Sequence, residues 1–328
     1  MKEDSLTISQ IYAKGKENLE KMGVERWFPP DSDIAASARL NRKYLDSMFF
    51  ETRFFDPVDV DTSLAIFGAK LRTPVFCAAI SRLAHMSDAD MVDIARGLNN
   101  AGSLLMLGIG GSQALQGAID TGVPVVKMVK PYRETELIYE KVREAGERGC
   151  VAVGMDIDHF YGTLREDRPA LTELFGPQRT DELKEVFSQT RLPVIIKGVL
   201  SVSDAEKAAQ LGVSAIVVSN HGRGSVDFSV PSMIALPRIV DRVGDKVTVL
   251  VDTGFKTGND VLKPLAFGAR AVGFASSIVL ALAADGANGV ELLVNQITAE
   301  LKRTMAVTGC PNLSAVNRSI IVQVSGIG

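Results

Sequence analysis

The chain has 328 residues, 46% of them hydrophobic and 23% charged, with a formal net charge of -3. That balance excludes a general nucleic-acid binder and shows no attraction to a membrane surface. The length suits one large α/β domain or a barrel with an extension. Cys77, Cys150 and Cys310 have no metal-type spacing, and the first two lie in apolar runs, so buried reduced thiols in a cytoplasmic protein are expected. The start, MKEDSLTISQIYAKGKENLEKMG, is charged throughout and lacks the apolar core of a signal peptide. The longest apolar stretch, Val272–Ala284, contains Ser276 and Ser277 and is too short to span a bilayer.

Residues 1–73 differ in pattern from the rest of the chain. Ser5–Met22 and Ser32–Met48 read as helices, the second after a Pro-Pro-Asp-Ser start signal. The stretch FFETRFFDPVDVDTSLAIFGAKLRT alternates between Gly, Asp and Pro breaks and predicts a short hairpin. This segment is expected to be an extension packed on the main domain as a cap or floor. A separate binding domain is the alternative.

From Pro74 strands and helices alternate. The predicted strands are Val75–Ile80, Ser103–Leu107, Val123–Val129, Cys150–Asp156, Leu192–Gly198, Ala215–Ser219, Val247–Asp252 and Ala271–Ala275. Helical patterns follow them at Asp88–Asn100, Ser112–Asp120, Glu134–Ala145, Thr180–Thr190, Ser203–Leu211, Pro231–Val243, Gly258–Phe267 and Gly289–Val307. The strands are nearly continuous apolar runs, which suits a parallel sheet covered on both faces. Eight such units predict a (β/α)8 TIM barrel over residues 74–328 rather than an open doubly wound sheet. The Gly-rich stretch LGIGGSQ is wrongly spaced for a dinucleotide turn. The one long connection, Ile157–Gln178, mixes aromatics, charges and Pro, as a lid or subunit contact would.

Two adjacent strands end in Lys197 and His221. In a parallel barrel the carboxyl ends surround one mouth, where reacting groups collect. There the lysine can serve as a fixed positive charge and the histidine as a proton acceptor. The bland readings are a rim lysine that snorkels and a histidine that caps a turn.

At SNHGRGSVD, with VIIKGVLS before it and DTGFKTGNDVLKPLAFGA after it, the chain resembles the FMN-dependent α-hydroxy-acid oxidase/dehydrogenase family, which includes glycolate and lactate oxidases. The likeness runs from about Pro74 to the C-terminus; AAISRLAH and TPVF near the front also resemble family stretches. It implies a barrel with a helical N-terminal extension, FMN as cofactor, a small anionic substrate and a tetrameric homo-oligomer. By this resemblance His221 is the active-site base, Asp156 the carboxylate that orients it, with Asp158 a second candidate, and Lys197 the cation beside flavin N1 and O2. Asp252, Gly254 and Lys256 match the phosphate-side loop, Lys256 standing in for an arginine. Ala78 and Ala79 match positions whose backbone meets the flavin edge, and Ser219 belongs to the same cofactor set.

Several positions depart from the family pattern. Gly224 stands where the family has the arginine that grips the substrate carboxylate, and Arg223 lies one residue earlier. Arg223 and Lys127 are the expected substrate-binding residues. The family's strand-three Q-x-Y is matched to Lys127 and Val129, so Lys127 is also a candidate flavin contact, with Lys130 as its alternate. A serine after the second strand becomes Gly108, and the phosphate-binding Gly-Arg becomes Ala275-Ser276. Backbone amides at a helix start, with the hydroxyls of Ser276 and Ser277, can still hold a phosphate.

Three functions compete. The first is an FMN oxidoreductase acting on a small 2-hydroxy acid or related anionic substrate. The second is a flavin-free aldolase or isomerase in which Lys197, with a depressed pKa, forms a Schiff base. The third is an FMN-binding barrel that has altered or lost hydroxy-acid turnover.

Overall fold

The computed structural model describes residues 6–24, 35–80, 86–159, 174–221 and 226–324. Helix α1 (Ile8–Lys21) starts at a capping box in which the Thr7 side chain accepts from the Gln10 amide and the Gln10 side chain accepts in return. Helix α2 (Ala36–Asp46) follows, then the short strands β1 (Met48–Phe50), β2 (Leu64–Ile66) and β3 (Ala69–Leu71). The expected hairpin is β2–β3, turning through Phe67 and Gly68, both at positive φ. The first part of that stretch does something else: β1 pairs antiparallel with β12 (Ile321–Gln323) at the far end of the chain.

Between them lies a closed barrel of eight parallel strands. These are β4 (Val75–Ile80), β5 (Leu105–Leu107), β6 (Val125–Val129), β7 (Ala152–Asp156), β8 (Val194–Val199), β9 (Ala215–Val218), β10 (Thr248–Asp252) and β11 (Ala271–Phe274). The helices are α3 (Asp88–Ala101), α4 (Ser112–Asp120), α5 (Thr135–Glu147), α6 (Thr180–Ser188), α7 (Val202–Gln210), α8 (Ser232–Val243), α9 (Gly258–Ala266) and α10 (Ser276–Val307). Each expected strand and helix of the barrel is present to within a few residues except at the end. There the last helix begins at Ser276, immediately after β11, and runs through a break at Asp285 and Gly286. The apolar run Val272–Ala284 is therefore part strand and part helix, a division its hydrophobicity alone cannot show. By length and composition α10 could cross a membrane, but α1, α3 and α9 pack against it.

Strand parity divides the core in two. Inward residues such as Phe76, Met106, Met128, Ile195, Val217 and Leu250 fill the barrel, and the hairpin adds Leu64, Ile66 and Leu71 to that cluster. Outward residues such as Val125, Val153, Ile196, Ile216 and Val251 pack under the helices in the larger core. The same alternation decides which polar strand-end residues reach the mouth.

Candidate active site

On β8 the inward positions are Ile195 and Lys197; on β9 they are Ala215 and Val217, continuing to Ser219 and His221. On β7 and β10 the inward series ends in Asp156 and Asp252, and on β6 it runs Val126, Met128, Lys130. Neighbouring strands thus deliver carboxylates, ammoniums, a hydroxyl and an imidazole to one place. Lys197 is 2% exposed, and its Nζ lies 3.1 Å from Ser219 Oγ, 3.3 Å from Asp156 Oδ1, 3.6 Å from Asp252 Oδ2 and 3.3 Å from His221 Nδ1. Burial by itself would lower the Lys197 pKa, but Asp156, Asp252 and Asp158 together raise it above its ordinary value. The ammonium is held charged. A Schiff-base nucleophile needs the reverse shift.

Asp156 is fully buried between two lysines, with Lys130 Nζ donating to Oδ2 at 2.6 Å. Burial would raise its pKa, yet Lys130 and Lys197 hold it well below the usual carboxylate range. The carboxylate against His221 is a different one. Asp158 places its oxygens 3.0 and 3.1 Å from His221 Nδ1. This corrects the expectation for Asp156. The turn of 3-10 helix at Ile157–His159 carries Asp158 past the strand end, and Gly198 makes room for it. A Cβ on Gly198, which has a φ of +96°, would lie 2.5 Å from Asp158 Cγ. Asp158 also has its pKa lowered, because the His221 charge and hydrogen bond outweigh its burial. His221 itself adopts a φ of 58°, unusual for a non-glycine residue, and its amide donates to Ser219 Oγ at 3.2 Å.

Lys127 requires a second correction. It occupies an outward position on β6, so it points under the helices rather than into the mouth. Its Nζ donates to the Gly108 carbonyl at 2.7 Å, and burial lowers its pKa to about 8, partly offset by Glu144. Lys127 therefore braces the turn after β5 from behind. Gly108 is engaged at both ends, since its amide also donates to the Ile80 carbonyl at 2.8 Å. By parity, the inward pair on this strand is Val126 and Met128, followed by Lys130. Lys130 is the lysine that reaches the mouth, and its i, i+2 spacing from Met128 is the signal in the sequence. Arg223 and most of the long connection, residues 160–173, lie outside the described residues.

The remaining cofactor candidates surround the same rim. Ala78 and Ala79 end β4 with small side chains, and Ala275 precedes α10 without a side-chain cap. The first-turn amides of α10, from Ser276 onward, have no intrahelical acceptor and form a ready anion site. The Asp252–Lys256 loop bends through Thr253 and Gly254, at φ 90° and 80°. It is braced by the N-terminal helices, a role that sequence patterning did not signal. Asn41 donates to the Thr253 carbonyl at 3.0 Å, Tyr12 donates to the Lys256 carbonyl at 2.7 Å, and Arg42 clamps Asp260 at 2.8 and 2.9 Å. The Lys256 side chain is exposed. A buried cation, an uncapped helix start and small strand-end residues along one rim fit a flat anionic cofactor with a phosphate tail. Asp156, Asp158 and His221 could in principle gather a metal ion, but ammonium groups already occupy Asp156.

A family model for FMN-dependent dehydrogenases matches residues 17–180 and 170–323. The chain is similar to a 2-hydroxyacid oxidase of Dictyostelium discoideum, at 29% identity over 96% of this chain and 90% of the relative. It is 30% identical to a 4-hydroxymandelate oxidase of Amycolatopsis orientalis over 88% of this chain and 90% of that protein. A crystal structure of mandelate oxidase superposes with a TM-score of 0.90 at 27% identity, covering 99% of this chain and 100% of that one.

Proposed function

Since the chain belongs to the FMN-dependent dehydrogenase family, we propose that it oxidises a small 2-hydroxy acid to the 2-oxo acid with the groups gathered around Lys197. FMN, when bound, supplies the acceptor for the α-hydrogen and its two electrons, leaving the substrate carbon as hydride or its equivalent. Within the chain, Ala78, Ala79 and Ser219 would line the ring of the cofactor. Gly254, Lys256, Ala275 and Ser276 would hold its phosphate, where free helix amides and a cation favour an anion. Lys197 is the fixed positive charge that favours an electron-rich cofactor, and Asp252 and Ser219 hold its ammonium in place. His221 takes the substrate hydroxyl proton. A carboxylate at Nδ1 stabilises the imidazolium that results. Arg223 binds the substrate carboxylate.

The observation that carries this reading is the buried, charge-stabilised Lys197 ammonium 3.3 Å from the His221 ring. A flavin-free aldolase would need that lysine neutral. The test is a spectrum of purified protein, followed by anaerobic addition of 2-hydroxy acids. Bound FMN should bleach on substrate, and His221→Gln should retain the flavin but slow its reduction by about two to four orders of magnitude. Colourless protein that cannot be reconstituted with FMN, or a mutant reduced at the normal rate, would refute the assignment. The same reading carries a cytoplasmic homo-tetramer. Three buried free cysteines support a reducing compartment.

A further inference from the structure

We propose that Lys130 is a positioning residue that sequesters Asp156, so that of the two carboxylates it is Asp158, seated against Gly198, that sets the tautomer of His221. This deepens the hydroxy-acid reading and rests on it for its meaning in catalysis. Two carboxylates lie close enough to serve the imidazole, since ligand atoms of Asp156, Asp158 and His221 all fall within 4.8 Å of one another. They are not equivalent. Asp156 is fully buried and accepts from Lys130 at Oδ2, 2.6 Å away, while its Oδ1 lies 3.3 Å from the Lys197 ammonium as an ion pair without a hydrogen bond. Asp158 is 14% exposed, and both its oxygens lie within hydrogen-bond distance of Nδ1.

The glycine at position 198 ties this arrangement to the backbone. Any side chain there would collide with the Asp158 carboxyl group, so the approach is built into β8. Lys197 adds the opposing influence. Its ammonium lies 3.3 Å from the same Nδ1 and carries only donors. If the carboxylate wins, Nδ1 carries the proton and Nε2 presents its lone pair as a base. If the ammonium wins, Nδ1 accepts and Nε2 carries the proton, which leaves no base. Asp158 is nearer and presents two acceptors, while Lys197 donates to Ser219 and is drawn toward the charges of Asp156 and Asp252. The Nδ1–H form is therefore the ground state. Without Lys130, Asp156 would hold only one cation and be free to compete for the ring.

The chain has only three histidines, so nitrogen-15 spectra of histidine-labelled, FMN-loaded protein can resolve His221, with His221→Gln identifying its signals. Spectra are recorded without substrate at a pH where the imidazoles are neutral. The expected wild-type pattern is a protonated Nδ1 and an unprotonated Nε2. Asp158→Ala should reverse it, as Lys197 donates to the bared Nδ1. Gly198→Ala, which leaves every charge in place but pushes Asp158 away, should produce the same reversal. The paired change Lys130→Met with Asp156→Asn removes the buried ion pair without stranding a charge, and should leave the wild-type pattern intact. Adding Lys130→Met to Asp158→Ala should restore Nδ1–H by releasing Asp156. Retention of the wild-type pattern in Asp158→Ala, its loss in the paired variant, or no restoration in the last would overturn the assignment. Because no substrate is present, a protein that oxidises no 2-hydroxy acid still answers this question, and the two failures are separable.

Discussion

At the scale of single residues, the side of a strand on which a lysine falls decides its chemistry. Lys197 and Lys130 face inward and find carboxylates; Lys127 faces outward and finds a carbonyl. A buried ammonium without a carboxylate partner opposes folding, because the unfolded chain solvates it better. The folded Lys127 pKa of about 8 lies below the unfolded value of about 10.4. Stability linked to this group is fully present above the unfolded value and is lost as pH falls through the folded one. Lys127→Met should accordingly raise stability at neutral pH by on the order of 1 kcal/mol, after loss of its hydrogen bond. It should also flatten the rise in stability between about pH 8 and 10. Denaturant melts at three pH values would show both effects. Arg223 gives a second prediction at this scale. A lysine offers a point charge rather than a two-pronged fork, so Arg223→Lys should raise KM for a 2-hydroxy acid about tenfold or more while FMN affinity stays unchanged. Steady-state kinetics alongside FMN titration would separate the two.

Among elements, α10 organises the outer layer. Its first turn faces the rim of the site, and its length is packed against helices that approach where side chains are absent. A Cβ on Gly15 of α1 would lie 2.0 Å from the Leu280 carbonyl oxygen, and one on Gly97 of α3 would lie 2.4 Å from that of Ala287. Backbone contact of this kind cannot be relieved by a rotamer change. Gly15→Val should lift α1 off α10 and destabilise the fold by about 2–4 kcal/mol. Tyr12, on the same helix, would lose the Lys256 carbonyl it now holds. The mutant should therefore release FMN more readily on gel filtration than wild type, beyond its loss of melting temperature. Unchanged retention would separate α1 from support of the phosphate loop.

For the whole molecule, contacts that hold the N-terminal segment to the barrel include Leu64, Ile66 and Leu71 of the β2–β3 hairpin in the barrel-interior cluster, β1 on β12, α1 and α2 against α10 and α8, and the bonds of Tyr12, Asn41 and Arg42 to the 253–260 stretch. The surface carries large apolar side chains after β1, with Phe54 and Phe55 at 75% and 93% exposure. Adjacent exposed aromatic side chains are the kind of apolar surface that subunit contacts cover. Light scattering on the eluting protein should give four times the mass of one chain, and Phe54→Ser with Phe55→Ser should reduce that mass. A monomer in wild type would end the tetramer proposal.

The barrel was legible in the sequence because its information is local. Runs of inward and outward apolar residues, turn signals and helix starts repeat along the chain, and each strand end carries its polar residue in place. Lys197 and His221 stand out for that reason, as do Asp252 and the loop after it. Pairing of β1 with β12 had no local signature, since two three-residue strands at opposite ends of the chain carry almost no pattern of their own. The Lys127 assignment failed on a one-residue difference in register, which reverses the face of a strand. The choice between Asp156 and Asp158 was settled only in three dimensions. Two residues apart, they are separated by a strand end and a 3-10 turn, and what distinguishes them is a lysine from β6 and a glycine on β8. Periodicity determines which groups arrive at the mouth; competition among charges through space determines which of them pair.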